Sequence, residues 1–195
     1  MKESLAGFQM DILSPVDLGI TNFPEEHGDT FEANALEKAR FYFEQTAFRQ
    51  AQCDSILADD SGIIVEALQN ELGIHTRRWG AGKNATDREW IEYFLERMQK
   101  EENKRARFVC VLAFIDPLGE EHLFQGTCDG IITSTLEADY LPGLPISACF
   151  KPNGLDKVYS ALGIEEKNSI SHRGRAMQKL RDFLIKRDEK STQTL

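Results

Sequence analysis

The sequence lacks a Cys-x-x-Cys pair and has no long hydrophobic run. Its four cysteines are Cys53, Cys110, Cys128 and Cys149, and none lies in a Cys-x-x-Cys pair. This spacing favours neither a zinc site nor a disulfide framework and indicates a reducing compartment. No apolar stretch approaches the length of about 18 residues that a membrane span requires, and no apolar signal region follows the N-terminus. We therefore expect a cytoplasmic protein with no membrane partner.

Basic residues are outnumbered by acidic ones. The chain has 23 Lys and Arg against 32 Asp and Glu, which gives a formal net charge of -9. Because binding to nucleic acid depends on clustered Lys and Arg, this balance argues against a nucleic-acid partner. A small polyphosphate is still an acceptable ligand, because a bound divalent cation reverses the local charge of a carboxylate-rich site.

Length and composition predict one α/β domain. The 195 residues, 41% hydrophobic and 28% charged, suit a single globular domain without internal repeats. We expect this domain at residues 1–189 and a polar tail at 190–195. Strand-like and helix-like segments are interspersed, which favours a mixed-sheet α/β fold over an all-helical one.

Capping signals predict the helices. Asp29 is followed by Glu32, as in a capping box, and Thr86 and Glu89 form a second box. After the first box, apolar residues recur every four positions, at Phe31, Ala35, Ala39 and Phe43. Ser171 can cap a final helix. The apolar face of that helix holds Met177, Leu180 and Leu184.

Apolar runs predict the strands. The run Phe108 to Ile115 is continuous and partly β-branched, which is typical of a strand buried on both faces. Two shorter runs flank Asp59-Asp60-Ser61-Gly62 and predict a strand, a polar turn and a second strand. The remaining predictions are strands at 122–124 and 130–133 and a Pro- and Gly-containing loop at 140–153.

The pair Asp59-Asp60 is the most informative candidate for chemistry. Two carboxylates at a strand end can hold a hard cation and leave one oxygen for a water molecule. The same two residues, together with Ser61 and Gly62, also make an ordinary solvated turn. On these residues alone, both interpretations stand.

Three other clusters are weaker candidates. Glu25-Glu26-His27-Gly28 can complete a metal site, or simply place favourable charge before a helix. Lys167 and the segment Ser171-His172-Arg173-Gly174 can hold a phosphate or a base, or form an ordinary cap. Arg77 and Arg78, beside Trp79, can face phosphates or pair with carboxylates.

The order of these blocks resembles a known family. The chain contains, in sequence, EEHGDTFEANALEKAR, ILADDSGIIVEAL, GIHTRRWGAGKNATD, ARFVCVLAF, GIIT and EEKNSISHRGRAM. This succession is similar to that of the non-canonical purine nucleoside triphosphate pyrophosphatases, which hydrolyse ITP, dITP and XTP to the monophosphate and pyrophosphate. The resemblance extends from about residue 11 to about residue 184.

The resemblance implies a fold and a set of roles. The implied fold is α/β, elongated and two-lobed, with a long mixed sheet, flanking helices and a central cleft, and it forms a homodimer. Asp60 would be the general base, and Glu25, Asp59 and Asp60 would hold Mg²⁺. The implied substrate-binding residues are Ser61, Arg78, Tyr140, Lys167, His172 and Arg173.

Three departures from the family pattern leave alternatives open. The family's N-terminal strand and Ser/Thr-x-Asn-x-x-Lys loop are absent from the sequence, and Ala33 stands where the family has Glu. The stretch from Tyr140 to Ser147 also differs from the family's base-pocket segment. The alternatives are therefore a catalytically impaired nucleotide-binding relative and a pyrophosphohydrolase with shifted base specificity.

Overall fold

The computed structural model describes residues 5, 8, 10–47, 55–69, 71–76, 79–82 and 84–193. Its helices are α1 (Phe31–Ala47), α2 (Asp87–Gln99), α3 (Ile164–Ile170) and α4 (His172–Gln193). Its strands are β1 (Ile56–Val65), β2 (Arg105–Ile115), β3 (Glu121–Ile132) and β4 (Phe150–Pro152). The predicted α/β class is confirmed.

The strands form one sheet in the order β1-β2-β3-β4. β3 pairs antiparallel with β4, with Ile131 opposite Lys151. The four described strands make an antiparallel sheet, whereas the resemblance implied a mixed one. Part of the reason is the short connection between β2 and β3, because parallel neighbours need a crossover of a dozen residues or more.

The chain divides into two compact units. One comprises Met1–Asp60, Cys110–Gly126 and Arg173–Leu195, and the other comprises Ser61–Val109 and Thr127–His172. The prediction of a single domain over 1–189 and that of a central cleft stay predictions. Both units have an apolar core, which follows from the periodic hydrophobic residues of their helices and strands.

In the first unit, β2 packs against α4. Cys110, Leu112 and Phe114 of β2 are buried with Ala176, Met177 and Leu180 of α4. This confirms the predicted inner face of the last helix. That helix begins at His172, directly after Ser171, and continues to Gln193, so it extends into the segment predicted as tail.

In the second unit, α2 and β2 supply the centre of the core. Phe94 and Phe108 are at most 1% exposed, and burying such a side chain stabilises the fold by about 1.5–3 kcal/mol. The capping box of Thr86 and Glu89 at the start of α2 is confirmed. The prediction that Phe108 to Ile115 is a buried strand is also confirmed, since all of β2 from Phe108 onwards is buried.

Several element boundaries differ from the predictions. α1 is capped by Thr30 rather than Asp29, because the Thr30 hydroxyl accepts a hydrogen bond from the Ala33 N–H at 3.1 Å. Glu32 is therefore one position too early for a capping box. The predicted strands at 122–124 and 130–133 are one strand, β3, and the predicted loop at 140–153 contains β4. Pairing between neighbouring strands overrides the local turn and loop signals there.

No helix in the described part of the chain is long and apolar enough to cross a membrane. Cys110, Cys128 and Cys149 are buried. Burial raises the pKa of the Cys149 thiol to about 12. Buried thiols of this kind pack as small apolar groups.

Candidate active site

Asp59 and Asp60 lie inside β1, not in a turn. The prediction of a strand, a turn and a strand was wrong, because the segment Ile56–Val65 is one continuous strand. Successive side chains of a strand point to opposite faces of the sheet. The two carboxylates consequently have different partners, and Asp60 is the more buried of the two, at 8% exposure.

Asp60 is held by two side chains of α1. Lys38 donates a hydrogen bond from Nζ to Oδ1 of Asp60 at 2.9 Å. Asn34 donates from Nδ2 to Oδ2 at 3.4 Å. Asn34 and Lys38 are four residues apart, so they lie on the same face of the helix.

The balance of burial and charge sets the protonation of Asp60. Burial is the largest influence and raises the pKa of Asp60 above its ordinary value, although Lys38 and Asn34 act in the opposite direction. The pKa of Lys38 is also raised: burial lowers it, but its bonds to Asp60 and Glu26 outweigh that effect. Asp60 is thus a partly desolvated carboxylate with a raised pKa, which suits a general base.

Glu26 is the second carboxylate of this cluster. Its Oε1 accepts a hydrogen bond from Lys38 Nζ at 3.0 Å, so one ammonium group joins Glu26 and Asp60. Glu25, which the resemblance implied as a metal ligand, has a side chain that is 87% exposed and contacts His27 at 3.3 Å. Glu26 rather than Glu25 therefore shares the Lys38 ammonium with Asp60, and the role of Glu25 as a metal ligand stays a prediction.

The segment before α1 is fixed against the helix at Gly28. The Gly28 N–H donates to Oδ1 of Asn34 at 2.9 Å. A Cβ at Gly28 would lie 2.7 Å from both Asn34 Oδ1 and Ala33 Cβ, so the close approach requires glycine. The Asn34 amide therefore joins this loop to Asp60, accepting from Gly28 and donating to the carboxylate.

Asp59 pairs with the start of α4. Nη2 of Arg173 lies 2.9 Å from Oδ2 of Asp59. Glu25, Asp59 and Asp60 thus have separate ionic partners and, within the described residues, do not make a compact group of metal-binding side chains. The group of that kind in the described part of the chain is Asp116, Glu120 and His122, in a different turn.

His172 and Lys167 share an aromatic neighbour in the second unit. The His172 ring is stacked on Phe108, with centroids 4.9 Å apart and an interplanar angle of 14°. Tyr159 lies 6.5 Å from His172, and Lys167 Nζ lies 5.9 Å from the centre of the Tyr159 ring. His172 is buried, at 5% exposure. The aromatic residues Phe108 and Tyr159 were not singled out as site residues, since both resemble ordinary core positions in sequence.

The remaining predicted substrate-binding residues are placed as follows. Ser61 follows Asp60 within β1 and is half-buried. Tyr140 is half-buried and packs at the edge of the hydrophobic core of the second unit. The buried Ser147 accepts a hydrogen bond from the Leu141 N–H at 3.0 Å, which orders the segment after Tyr140. Arg78 lies outside the described residues.

Comparison with known proteins gives consistent matches over nearly the whole chain. The profile of the Ham1 family matches residues 1–183. A dITP/XTP pyrophosphatase of Leptospira interrogans is 35% identical over 175 residues, which cover 90% of this chain and 85% of that protein. One of Thermus thermophilus is 36% identical over 182 residues, covering 92% and 83%.

Solved structures agree with these sequence matches. A HAM1 protein from Coxiella burnetii superposes with a TM-score of 0.83 at 30% identity, covering 95% of this chain and 91% of its own. The Staphylococcus aureus Ham1 protein has a TM-score of 0.81 at 33% identity and covers 91% and 88%.

Proposed function

Because the chain belongs to the Ham1 family and is a nucleoside triphosphate pyrophosphohydrolase, we propose that it hydrolyses non-canonical purine nucleoside triphosphates with Mg²⁺. The resemblance stated from the sequence is confirmed at the level of the family. The substrates we propose are ITP, dITP and XTP, each converted to the monophosphate and pyrophosphate. The observation that carries this proposal is the buried Asp60 joined to Glu26 through Lys38.

The Asp60 cluster fits a magnesium ion. Two carboxylates already share one cation, the Lys38 ammonium, and carboxylate oxygens are the ligands that Mg²⁺ prefers. We assign Asp60 and Glu26 as the residues that would hold the ion, with Glu26 supplying the carboxylate that Ala33 lacks. When bound, Mg²⁺ would neutralise charge on the triphosphate. Glu25 and Asp59, the other metal ligands that the resemblance implied, stay predictions.

Asp60 acts as the general base in this proposal. It accepts a proton from a water molecule as the water oxygen attacks phosphorus, and the linkage between the α- and β-phosphates breaks to release pyrophosphate. Asn34 orients the carboxylate through its bond to Oδ2. The Lys38 ammonium, which lies between the carboxylates of Glu26 and Asp60, would supply positive charge for a phosphate oxygen.

Lys167, His172 and Arg173 are proposed to recognise the base and the adjoining phosphate. Lys167 and His172 are donors next to the aromatic rings of Tyr159 and Phe108. Donors aimed at the 6-oxo group of hypoxanthine or xanthine would discriminate against the 6-amino group of adenine, because two facing donors leave each other unpaired. Roles for Ser61, Arg78 and Tyr140 stay predictions.

Pyrophosphate release tests the proposal. The purified protein is incubated with ITP, dITP or XTP and Mg²⁺, next to Asp60→Asn and a matched control, Asp156→Asn, whose aspartate is exposed. We expect Asp60→Asn to lower kcat by about 10²–10⁴-fold, the usual contribution of a general base, and the control to retain activity. Equal pyrophosphate release by the wild type and Asp60→Asn would contradict the role of Asp60.

A shifted base specificity is the second candidate. It is supported by the segment from Tyr140 to Ser147, where the family's base-pocket pattern is absent. A panel of triphosphates with hypoxanthine, xanthine, guanine, adenine and pyrimidine bases separates the two candidates by kcat/KM. The homodimer and the cytoplasmic location also stay predictions, and sedimentation equilibrium tests the first.

A further inference from the structure

The turn between β2 and β3 brings three metal-binding side chains together. The donor atoms of Asp116, Glu120 and His122 all lie within 4.8 Å of one another. Nε2 of His122 is 4.0 Å from Oδ2 of Asp116 and 4.0 Å from Oε2 of Glu120. Modest side-chain rotations would bring such donors to the distance of about 2 Å at which nitrogen and oxygen ligands bind zinc.

Asp116 is held rigidly in this turn. Its side chain is fully buried, and Oδ1 accepts hydrogen bonds from the N–H groups of Leu118 and Glu120, both at 2.9 Å. The turn is closed by a bond from the Asp116 N–H to the Glu120 carbonyl at 3.0 Å. Oδ1 is therefore used to order the backbone, whereas Oδ2 pairs with Arg187 and lies 4.0 Å from Nε2 of His122.

His122 presents a buried nitrogen to the two carboxylates. Its ring is placed by Phe183 of α4, with centroids 4.5 Å apart, and by Phe114, at 6.2 Å. Among the described residues, Nε2 of His122 has no hydrogen-bond partner although the atom is buried. A buried polar atom without a hydrogen-bond partner destabilises the folded protein, because the atom has lost its bonds to water. A ligand that binds Nε2 would remove this destabilisation.

Arg187 is the competing cation. Its Nη1 lies 2.6 Å from Oδ2 of Asp116, and its side chain is 38% exposed. A carboxylate oxygen has a second lone pair, so Oδ2 can accept from Arg187 and still bind an ion. Because the guanidinium is partly exposed, it can also move into solvent when an ion neutralises Asp116.

We propose that Asp116, Glu120 and His122 bind one divalent first-row transition-metal ion of the zinc class, separate from the magnesium proposed at Asp60. The imidazole donor decides the class, since Mg²⁺ binds carboxylate, carbonyl and water oxygens whereas Zn²⁺ accepts imidazole with carboxylates. The ion ties the β2–β3 turn together and gives the His122 nitrogen a partner. This site is independent of the proposed activity.

Calorimetric titration with Zn²⁺ tests the site. The chelator-treated protein is titrated in excess Mg²⁺, which occupies sites built only from carboxylates, and is compared with His122→Gln and Glu120→Gln. His75→Gln is the matched control, because His75 is exposed in another part of the chain. We expect one Zn²⁺ per chain in the wild type and the control, and at least about tenfold weaker binding in the two other variants.

Two further readouts keep the test informative. Circular dichroism checks that each variant is folded, and Zn²⁺ should raise Tm of the wild type but not of His122→Gln, since an ion bound by the native state stabilises it. Equal Zn²⁺ affinity of the wild type and His122→Gln would overturn the proposal. Loss of wild-type Zn²⁺ binding in excess Mg²⁺ would also overturn it.

Discussion

Lys38 is the residue whose removal most directly changes the candidate active site. Its side chain is 18% exposed and that of Asp60 is 10% exposed, so their ion pair is largely shielded from water. Lys38→Met leaves the Asp60 carboxylate buried with one partner fewer. We expect this to lower the free energy of unfolding by about 1–3 kcal/mol at neutral pH, as measured by urea denaturation.

The pH dependence of that loss identifies its cause. Burial already raises the pKa of Asp60, and Lys38 opposes that rise, so the pKa rises further in Lys38→Met. A group with a raised folded-state pKa stabilises the protein below that pKa and loses this contribution as pH rises through it. The loss of unfolding free energy in Lys38→Met, relative to the wild type, should therefore become smaller as pH falls. The control Lys157→Met, at an exposed lysine, should show no such pH dependence. If the loss in Lys38→Met did not change with pH, the loss of the ion pair with Asp60 would not be its cause.

At the scale of the element, the start of α2 depends on Thr86. Its hydroxyl accepts from the Glu89 N–H, and the Glu89 carboxylate accepts from the Thr86 N–H at 2.8 Å. Thr86→Ala removes the first of these bonds and should lower the free energy of unfolding by about 1 kcal/mol. Chemical denaturation measures the change, and Ser134→Ala, at an exposed serine, is the control. An unchanged midpoint for Thr86→Ala would mean that α2 is held by packing alone.

Gly130 allows β3 and β4 to pair closely. A Cβ there would lie 2.4 Å from the Lys151 carbonyl oxygen and 2.6 Å from the Phe150 ring. Gly130→Ala should therefore force the strands apart and destabilise the protein by about 1–3 kcal/mol. Gly163→Ala is the matched control, because a Cβ at Gly163 has no neighbour within 4 Å. Thermal unfolding followed by circular dichroism compares the two, and equal Tm values would refute the close-approach explanation.

The predictability of these elements varied with the strength of their local signals. Two predictions that rest on local signals were confirmed. The capping box of Thr86 and Glu89 specifies the start of α2, and the apolar run from Phe108 specifies the buried part of β2. Asp59 to Gly62 has the composition of a turn but lies within β1. Its conformation follows from pairing with a neighbouring strand, and single-residue preferences do not contain that information.

At the scale of the whole molecule, ligand binding should be visible in stability. With Asp60→Asn used to prevent turnover, ITP and Mg²⁺ at about 100 times Kd should stabilise the protein by about 2.7 kcal/mol, measured as a rise in Tm. ATP should produce a smaller rise if Lys167 and His172 recognise a 6-oxo base. Equal shifts with ITP and ATP would contradict that assignment. A shift in the wild type without pyrophosphate release would favour the catalytically impaired alternative.

The sequence by itself determined the family and the α/β class, because these depend on residue types and their order along the chain. The tertiary structure decided which acids meet. Glu26 rather than Glu25 shares Lys38 with Asp60, and Asp59 turns to Arg173. Adjacent residues in a strand or loop point in different directions. Of two neighbouring acidic residues, one can therefore have a buried partner while the other faces solvent. That choice is made by packing against α1 and α4, which the order of residues does not contain.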